Sequence, residues 1–448
     1  MDTPLARLFQ ACDPMKPATA QQYIDCSDVR GGHPFTERFM GALRNAGEKG
    51  GHMRYILTGH VGGGKSSELV HLSQELARGD ALADNRRYLP VLFDAREFIE
   101  DYDATPDDIL LAIIAELAET LKAKIGVELR DGYIKRKVNE FIRFLNRDVD
   151  VEELEVPLSD TKAKIKLLKR DPSARELVRN ALGGSETTFL EELNSLFDEA
   201  RIEVRRHDYS DIVLILDNLE RIVKVKGSEP GLKSHESLFI TNATKFTDLA
   251  CTFVLTVPLP LIRTHPGELR AAYGEHPFSL PMIKVRTRAG DAYEPGILKM
   301  RELLKLRGAD DTVITDEAEN LLIRFSGGHV RDLLGTVREA ISLAGNGPVE
   351  LRHARSALGQ IVNTLNVSAS GWDRLARLEL DPDRKLDPKD PECAYLLAQL
   401  FVLEYINGGE DDEFLQHDET WYAAAPLLQG MRSFKSATKR IIDGQKSS

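Results

Sequence analysis

The stretch Gly59-His60-Val61-Gly62-Gly63-Gly64-Lys65-Ser66 brings glycines, a lysine and a hydroxyl together within one short segment. It has the G-x-x-x-x-G-K-[ST] spacing of a phosphate-binding P-loop. Glycines let the backbone curl so that successive N–H groups converge on phosphate oxygens. The helix that should follow adds the partial positive charge of its N-terminus. Lys65 is expected to reach the β- and γ-phosphates of a nucleotide, and Ser66 to place its hydroxyl on Mg²⁺. The expected nucleotide contacts run over Gly59, His60, Val61, Gly62, Gly63, Gly64, Lys65, Ser66 and Ser67. A second acid must help to hold the metal. Asp217, which ends the apolar run Ile212–Leu216, is placed for that. The next residue is Asn218, where a glutamate could have oriented an attacking water. Asn218 cannot act as a base. Glu220 takes that role if the turn brings it round, and is otherwise a surface residue.

These residues need a scaffold, and the hydrophobic pattern supplies one. Met53–Thr58 reads as a buried strand and Ser66–Ala77 as an amphipathic helix, with Leu69, Leu72 and Leu76 on one face and Gly79 as its stop. Phe35–Ala46 reads as a helix leading into the strand. Tyr88–Phe93 is a further strand, and Pro90 predicts an edge position for it. Thr105-Pro106-Asp107-Asp108 starts a helix with a capping threonine, a first-turn proline and acids at the positive end of the dipole. Ile109, Leu110, Ile113, Ile114, Leu117 and Leu121 give it an apolar face, and Gly126 can close it.

Residues 126–208 are polar and mostly helical in pattern, and read as a helical insertion. A basic cluster within it, Lys162–Arg179, reads as a solvated helix face before it reads as a binding surface. The apolar runs Ile212–Leu216 and Thr252–Val257 suit central parallel strands buried on both faces, and Ser279–Val285 is a weaker third. Strands alternating with helices predict a parallel α/β sheet. Beyond Pro295 come the helical patterns Gly296–Leu306, Asp316–Phe325, Val330–Ala344 and Leu351–Leu365. After a linker at Asp381–Pro391, Cys393–Tyr405 reads as a helix, Asn407–Gly409 as a turn and Thr420–Ala425 as a strand. The expected organisation is an N-terminal extension (1–34), a P-loop α/β domain (35–294), a helical lid domain (295–366) and a small C-terminal module of winged-helix-like pattern (367–448).

A chain of 448 residues exceeds one core. No apolar run approaches a membrane span, and the first residues lack a signal-peptide core. Cys12, Cys26, Cys251 and Cys393 have no metal-type spacing, which points to free thiols in a reducing cytoplasm. A net charge of −12 disfavours a chain coated for nucleic acid.

Taken together, GHVGGGKS, ILDNLER, TFVLTV and SGGHVRDLL resemble the AAA+ ATPases and the related STAND signalling ATPases, over Phe35 to Leu365. The resemblance implies ATP and Mg²⁺ as ligands. It also implies further roles. Thr256 is similar to the sensor 1 position, whose polar group contacts the γ-phosphate or attacking water. Arg331 resembles the sensor 2 arginine of a lid helix. The family further implies a homo-oligomer with an arginine finger in trans, for which Arg263 and Arg270 are the candidates. No pore-loop motif of a threading unfoldase is present.

The expected function is an ATPase that couples ATP binding and hydrolysis to conformational change and assembly. One alternative is a STAND-type switch that retains ADP and turns over slowly, as in bacterial signalling or anti-phage defence. Another is a DNA-associated initiator or loader, which the acidic balance counts against. A small-molecule kinase is disfavoured by the helical lid. No protease or nuclease pattern is visible, so any effector activity is expected in a partner protein.

Overall fold

A computed structural model describes residues 3–47, 51–79, 85–127, 172, 186–223, 225, 231–274, 276–387, 389–407 and 420–446. The basic cluster Lys162–Arg179 and most of the expected insertion lie outside the described residues. The chain divides into two compact units. A sheet unit comprises Thr36–Thr58 and Leu69–Phe278. A loop unit comprises Met1–Phe35, Gly59–Glu68 and Ser279–Ser448. Helices of eight or more residues are numbered below.

The strands are β1 (Arg54–Gly59), β2 (Leu89–Asp94), β3 (Ile212–Asp217), β4 (Thr252–Val257) and the short β5 (Phe278–Leu280), in the sheet order β2-β3-β4-β1-β5. The pairs β2–β3, β3–β4 and β1–β4 are parallel. β3 and β4 are buried along their whole length, as their unbroken apolar sequences require. β2 is at the edge of the sheet, where the missing N–H of Pro90 breaks no central ladder.

Helices α2 (Phe35–Gly47), α3 (Lys65–Arg78), α4 (Pro106–Ile125), α5 (Glu186–Arg206) and α6 (Pro266–Tyr273) are interspersed with the strands. Ile109, Ile113 and Leu117 of α4 and Leu193 and Phe197 of α5 share one core with Val91, Leu214 and Phe253 of the strands. The start of α4 is a capping box. The Thr105 hydroxyl accepts from Asp108 N at 3.3 Å, and Asp108 Oδ2 accepts from Thr105 N at 2.8 Å. Gly126 ends α4 in the left-handed region.

The loop unit is mainly helical: α1 (Pro4–Ala11), α7 (Glu294–Lys305), α8 (Asp316–Ser326), α9 (Val330–Ala344), α10 (Leu351–Val362), α11 (Ala369–Leu380), α12 (Pro391–Ala398) and α13 (Arg432–Lys446). Leu8, Cys12, Val29, Met300, Leu322 and Val337 belong to its core, so the N-terminal segment is packed among the later helices. Two antiparallel strands, β6 (Val402–Ile406) and β7 (Thr420–Ala424), form a separate ribbon. Tyr405 and Trp421 face each other in its register and stack at 4.4 Å. Glu379 of α11 anchors β7 by accepting from Ala424 N at 2.9 Å, and it pairs with Arg384 at 2.6 Å and Arg286 at 3.2 Å.

Two local expectations are corrected. Cys393–Tyr405 is not one helix: α12 ends at Ala398, Leu400 takes a left-handed φ of 61°, and β6 follows. Pairing with β7 supplies the tertiary partner that makes this apolar stretch a strand. Ser279–Val285 is a strand only as far as Leu280. Past Pro281 its backbone bonds elsewhere in the loop unit, Met282 N to Glu404 O at 3.0 Å and Lys284 N to Val29 O at 3.0 Å.

All four cysteines are free and buried. Burial pushes the Cys12 thiol up to about 12 and that of Cys26 to about 11, and raises Cys251 and Cys393 as well. No described helix is long and apolar enough to cross a membrane.

Candidate nucleotide-binding site

β1 runs into the glycine loop at Gly59, which has a φ of 149°. A Cβ there would lie 2.4 Å from the Leu280 carbonyl oxygen, so the close passage of two backbones demands glycine. At Gly62 (φ 86°) a Cβ would meet Arg331 Cβ at 2.7 Å and His329 Nε2 at 2.8 Å. Lys65 begins α3 and is buried. Its ammonium donates to Gly59 O at 2.9 Å and to His60 O at 3.1 Å. The lysine thus spans the loop from within, through the carbonyls of Gly59 and His60. Ser66 sits half-buried in the first turn of α3. Ser67 Oγ accepts from Ala18 N at 3.0 Å. A glycine-rich backbone turn, a tethered lysine and a helix N-terminus are the donor set that phosphates fit.

The rest of the loop unit holds this segment from several sides. The buried His329 ring reaches Val61 O at 2.8 Å through Nε2. Its Nδ1 lies 2.9 Å from the Asp332 carboxylate and 3.3 Å from Asp332 N, which caps α9. Burial alone would raise the Asp332 carboxyl. The adjacent His329 ring and the Arg331 guanidinium outweigh it and hold Asp332 below the usual range. Arg331 donates its backbone N–H to Gly62 O at 3.2 Å and its Nε to Pro14 O at 3.2 Å. The sensor-like arginine is therefore beside the loop, as is the N-terminal segment. His60 accepts from Glu404 N of β6 at 2.9 Å.

Two polar side chains from the N-terminal segment complete the surroundings. Arg30 donates Nη2 to Gly63 O at 2.7 Å. Tyr23 OH donates to Glu68 at 3.0 Å. Burial pushes the Glu68 carboxyl up, against the opposing pull of Arg30 and Tyr23.

In the sheet unit, Asp217 is the last residue of β3 and is buried. Its Oδ1 accepts from Asn218 N at 2.8 Å, and Asn218 takes a left-handed φ of 63°. This turn aims the chain into a short 3₁₀ segment, Leu219–Arg221. Thr256, fully buried at the end of β4, accepts from Leu219 N at 3.1 Å. Its hydroxyl therefore braces the turn that carries Asp217. Glu220 is buried rather than on the surface, and its charge acts on the imidazole of His235. Arg263 is half-buried, at the end of the short helix Leu259–Thr264, and Arg270 is exposed on α6.

Sequence reasoning missed several of these residues. Asp94 lies opposite Asp217 in the β2–β3 register, and Arg96 Nε bonds both Asp94 oxygens at 3.0 Å. The signal was available: Asp94 ends the apolar run of β2 as Asp217 ends that of β3. Arg30 and Glu404 carry no local motif, and His329 stands in SGGHVRDLL without a role of its own being read there. They reach the loop only through the packing of distant segments.

The parallel sheet, the loop after β1 and the helical region that follows define a P-loop α/β fold. No family model matches the chain, and no curated protein matches it. Among solved structures it is similar to a chain of the Drosophila ORC bound to DNA, with 9% identity over 97% of this chain and 91% of that one and a TM-score of 0.40. It is also similar to Cdc6p from Pyrobaculum aerophilum, with 12% identity over 93% and 99% and a TM-score of 0.38. A third is the Aeropyrum pernix ORC2 protein in ADPNP-ADP complexes, with 13% identity over 99% and 98% and a TM-score of 0.40. At this degree of likeness the functional reading rests on the chain's own residues.

Proposed function

We propose that the chain is an AAA+-like ATPase that binds ATP with Mg²⁺ at Gly59–Ser67 and couples binding and hydrolysis to conformational change and assembly. The observation that carries this reading is the glycine loop. It is a glycine-rich turn at the end of a buried parallel strand, spanned by the Lys65 ammonium and opening into α3. The backbone N–H groups and Lys65 bind and orient the phosphates. Ser66 and Asp217 hold the metal, whose charge when bound offsets that of the phosphate oxygens. Thr256 positions the Asp217 turn, Glu220 orients the water, and Arg331 links the loop to α9.

Calorimetric titration with a non-hydrolysable ATP analogue and Mg²⁺ tests the assignment. Binding to the wild-type chain is expected, with affinity lower by at least about tenfold in Lys65→Ala, as for loss of a charge-assisted bond. Absent binding, or equal affinity in the two chains, rejects the site.

A second reading, a switch that retains ADP, is favoured by Asn218, which offers no base beside Asp217. Steady phosphate release that is lost in Glu220→Gln supports the ATPase. Co-purified ADP with almost no turnover supports the switch.

A further inference from the structure

The side chain of His60 is turned away from any role common to phosphate loops. It is 3% exposed, and its Nε2 accepts the backbone N–H of Glu404 at 2.9 Å. A backbone amide can only donate, so this bond requires an unprotonated Nε2. The same residue's carbonyl takes the Lys65 ammonium at 3.1 Å and the Gly63 N–H at 3.1 Å. One residue thus joins the lysine of the loop to β6.

The bond lands on a residue held from several sides. Glu404 is fully buried, its carbonyl accepts from Met282 N at 3.0 Å, and its carboxylate accepts from Ser279 Oγ at 3.1 Å. Its neighbour Tyr405 stacks on Trp421 and donates its hydroxyl to Gly327 O at 2.7 Å. Gly327 precedes His329, whose ring holds Val61 O. The β6–β7 ribbon therefore touches the loop directly through His60 and indirectly through the Gly327–His329 turn.

We propose that His60 couples occupancy of the glycine loop to the β6–β7 ribbon, making the ribbon the readout of the nucleotide state. The inference rests on the nucleotide-binding reading above. An anionic oxygen that draws the Lys65 ammonium removes the charged partner of the His60 carbonyl. The His60 peptide then re-seats, and the imidazole moves with it against Glu404 N. A ligand shifts such an equilibrium only by its differential affinity for the two arrangements, and the coupling is reciprocal.

Amide hydrogen exchange across Val402–Ile406 and Thr420–Ala424, with and without MgADP or a Mg-bound ATP analogue, tests this. Each chain is measured at concentrations shown by calorimetry to saturate it. In the wild type, exchange in the ribbon is expected to change by at least about fivefold on saturation, the low end of typical couplings. In His60→Ala the change is expected to vanish. In His60→Gln, whose side-chain oxygen can accept the same amide proton, it is expected to persist. Calorimetric binding with no exchange change in the wild-type ribbon overturns the coupling and leaves the nucleotide site standing. A full response in saturated His60→Ala overturns it equally. Absence of wild-type binding instead rejects the site itself.

Discussion

Lys65 is buried and bonded to two carbonyls of its own loop, from Gly59 and His60, so its ammonium is held where phosphates would enter. The loop keeps its charge in place before any ligand arrives, which lowers the ordering cost of binding. His235 shows the opposite use of burial. Its Nε2 lies 2.8 Å from Ile222 O, and burial lowers its pKa from 6.5 against the opposing pulls of Ile222 O and Glu220. Between the folded and unfolded pKa values the unfolded chain binds more protons. The stabilising contribution is therefore complete above about 6.5 and is lost as the pH falls through the folded value. Denaturant melts on either side of that pH should show a loss of stability on acidification that is smaller in His235→Gln, whose amide can still donate to Ile222 O. Equal losses in the two chains would contradict the assignment.

Among the elements, α4 shows how far local sequence determines structure. Thr105, Pro106, Asp107 and Asp108 encode its start and Gly126 its end, because caps are satisfied within a few residues. Thr105→Ala should cost about 1 kcal/mol in chemical denaturation. A change within error would mean that packing of the apolar face alone fixes the start. The strands β3 and β4 were legible for a similar reason, since continuous apolar runs bounded by Asp217 and Pro258 leave few alternatives. β6 was not legible. Tyr405 becomes a strand residue by stacking on Trp421, which arrives from another part of the sequence. The site divides along the same line. The glycine loop, Asp217, His329 and Arg331 sit in local patterns, whereas Arg30 and Glu404 are brought to the loop by contacts that no local window contains.

For the whole molecule, the informative feature is the division of the chain. The glycine loop is grouped with the two ends of the sequence, while β1, which feeds it, belongs to the sheet unit. Nucleotide binding would then act on a body built from both termini. Light scattering with MgADP and with a non-hydrolysable ATP analogue should show a larger mass with the analogue, and a single mass under both conditions for Lys65→Ala. A wild-type mass independent of nucleotide would rule out ATP-driven self-assembly and confine the change to one subunit.

The four buried thiols give this division an internal clock. Cys12, Cys26 and Cys393 lie in the loop unit and Cys251 in the sheet unit, all shielded from solvent, with protons held tightly by burial. A thiol reagent attacks thiolates, so labelling at each position waits for local opening. Mass spectrometry of timed alkylation would read the opening rate of each unit separately, in the unmodified chain. Comparing those rates with and without nucleotide would show which unit the ligand holds shut.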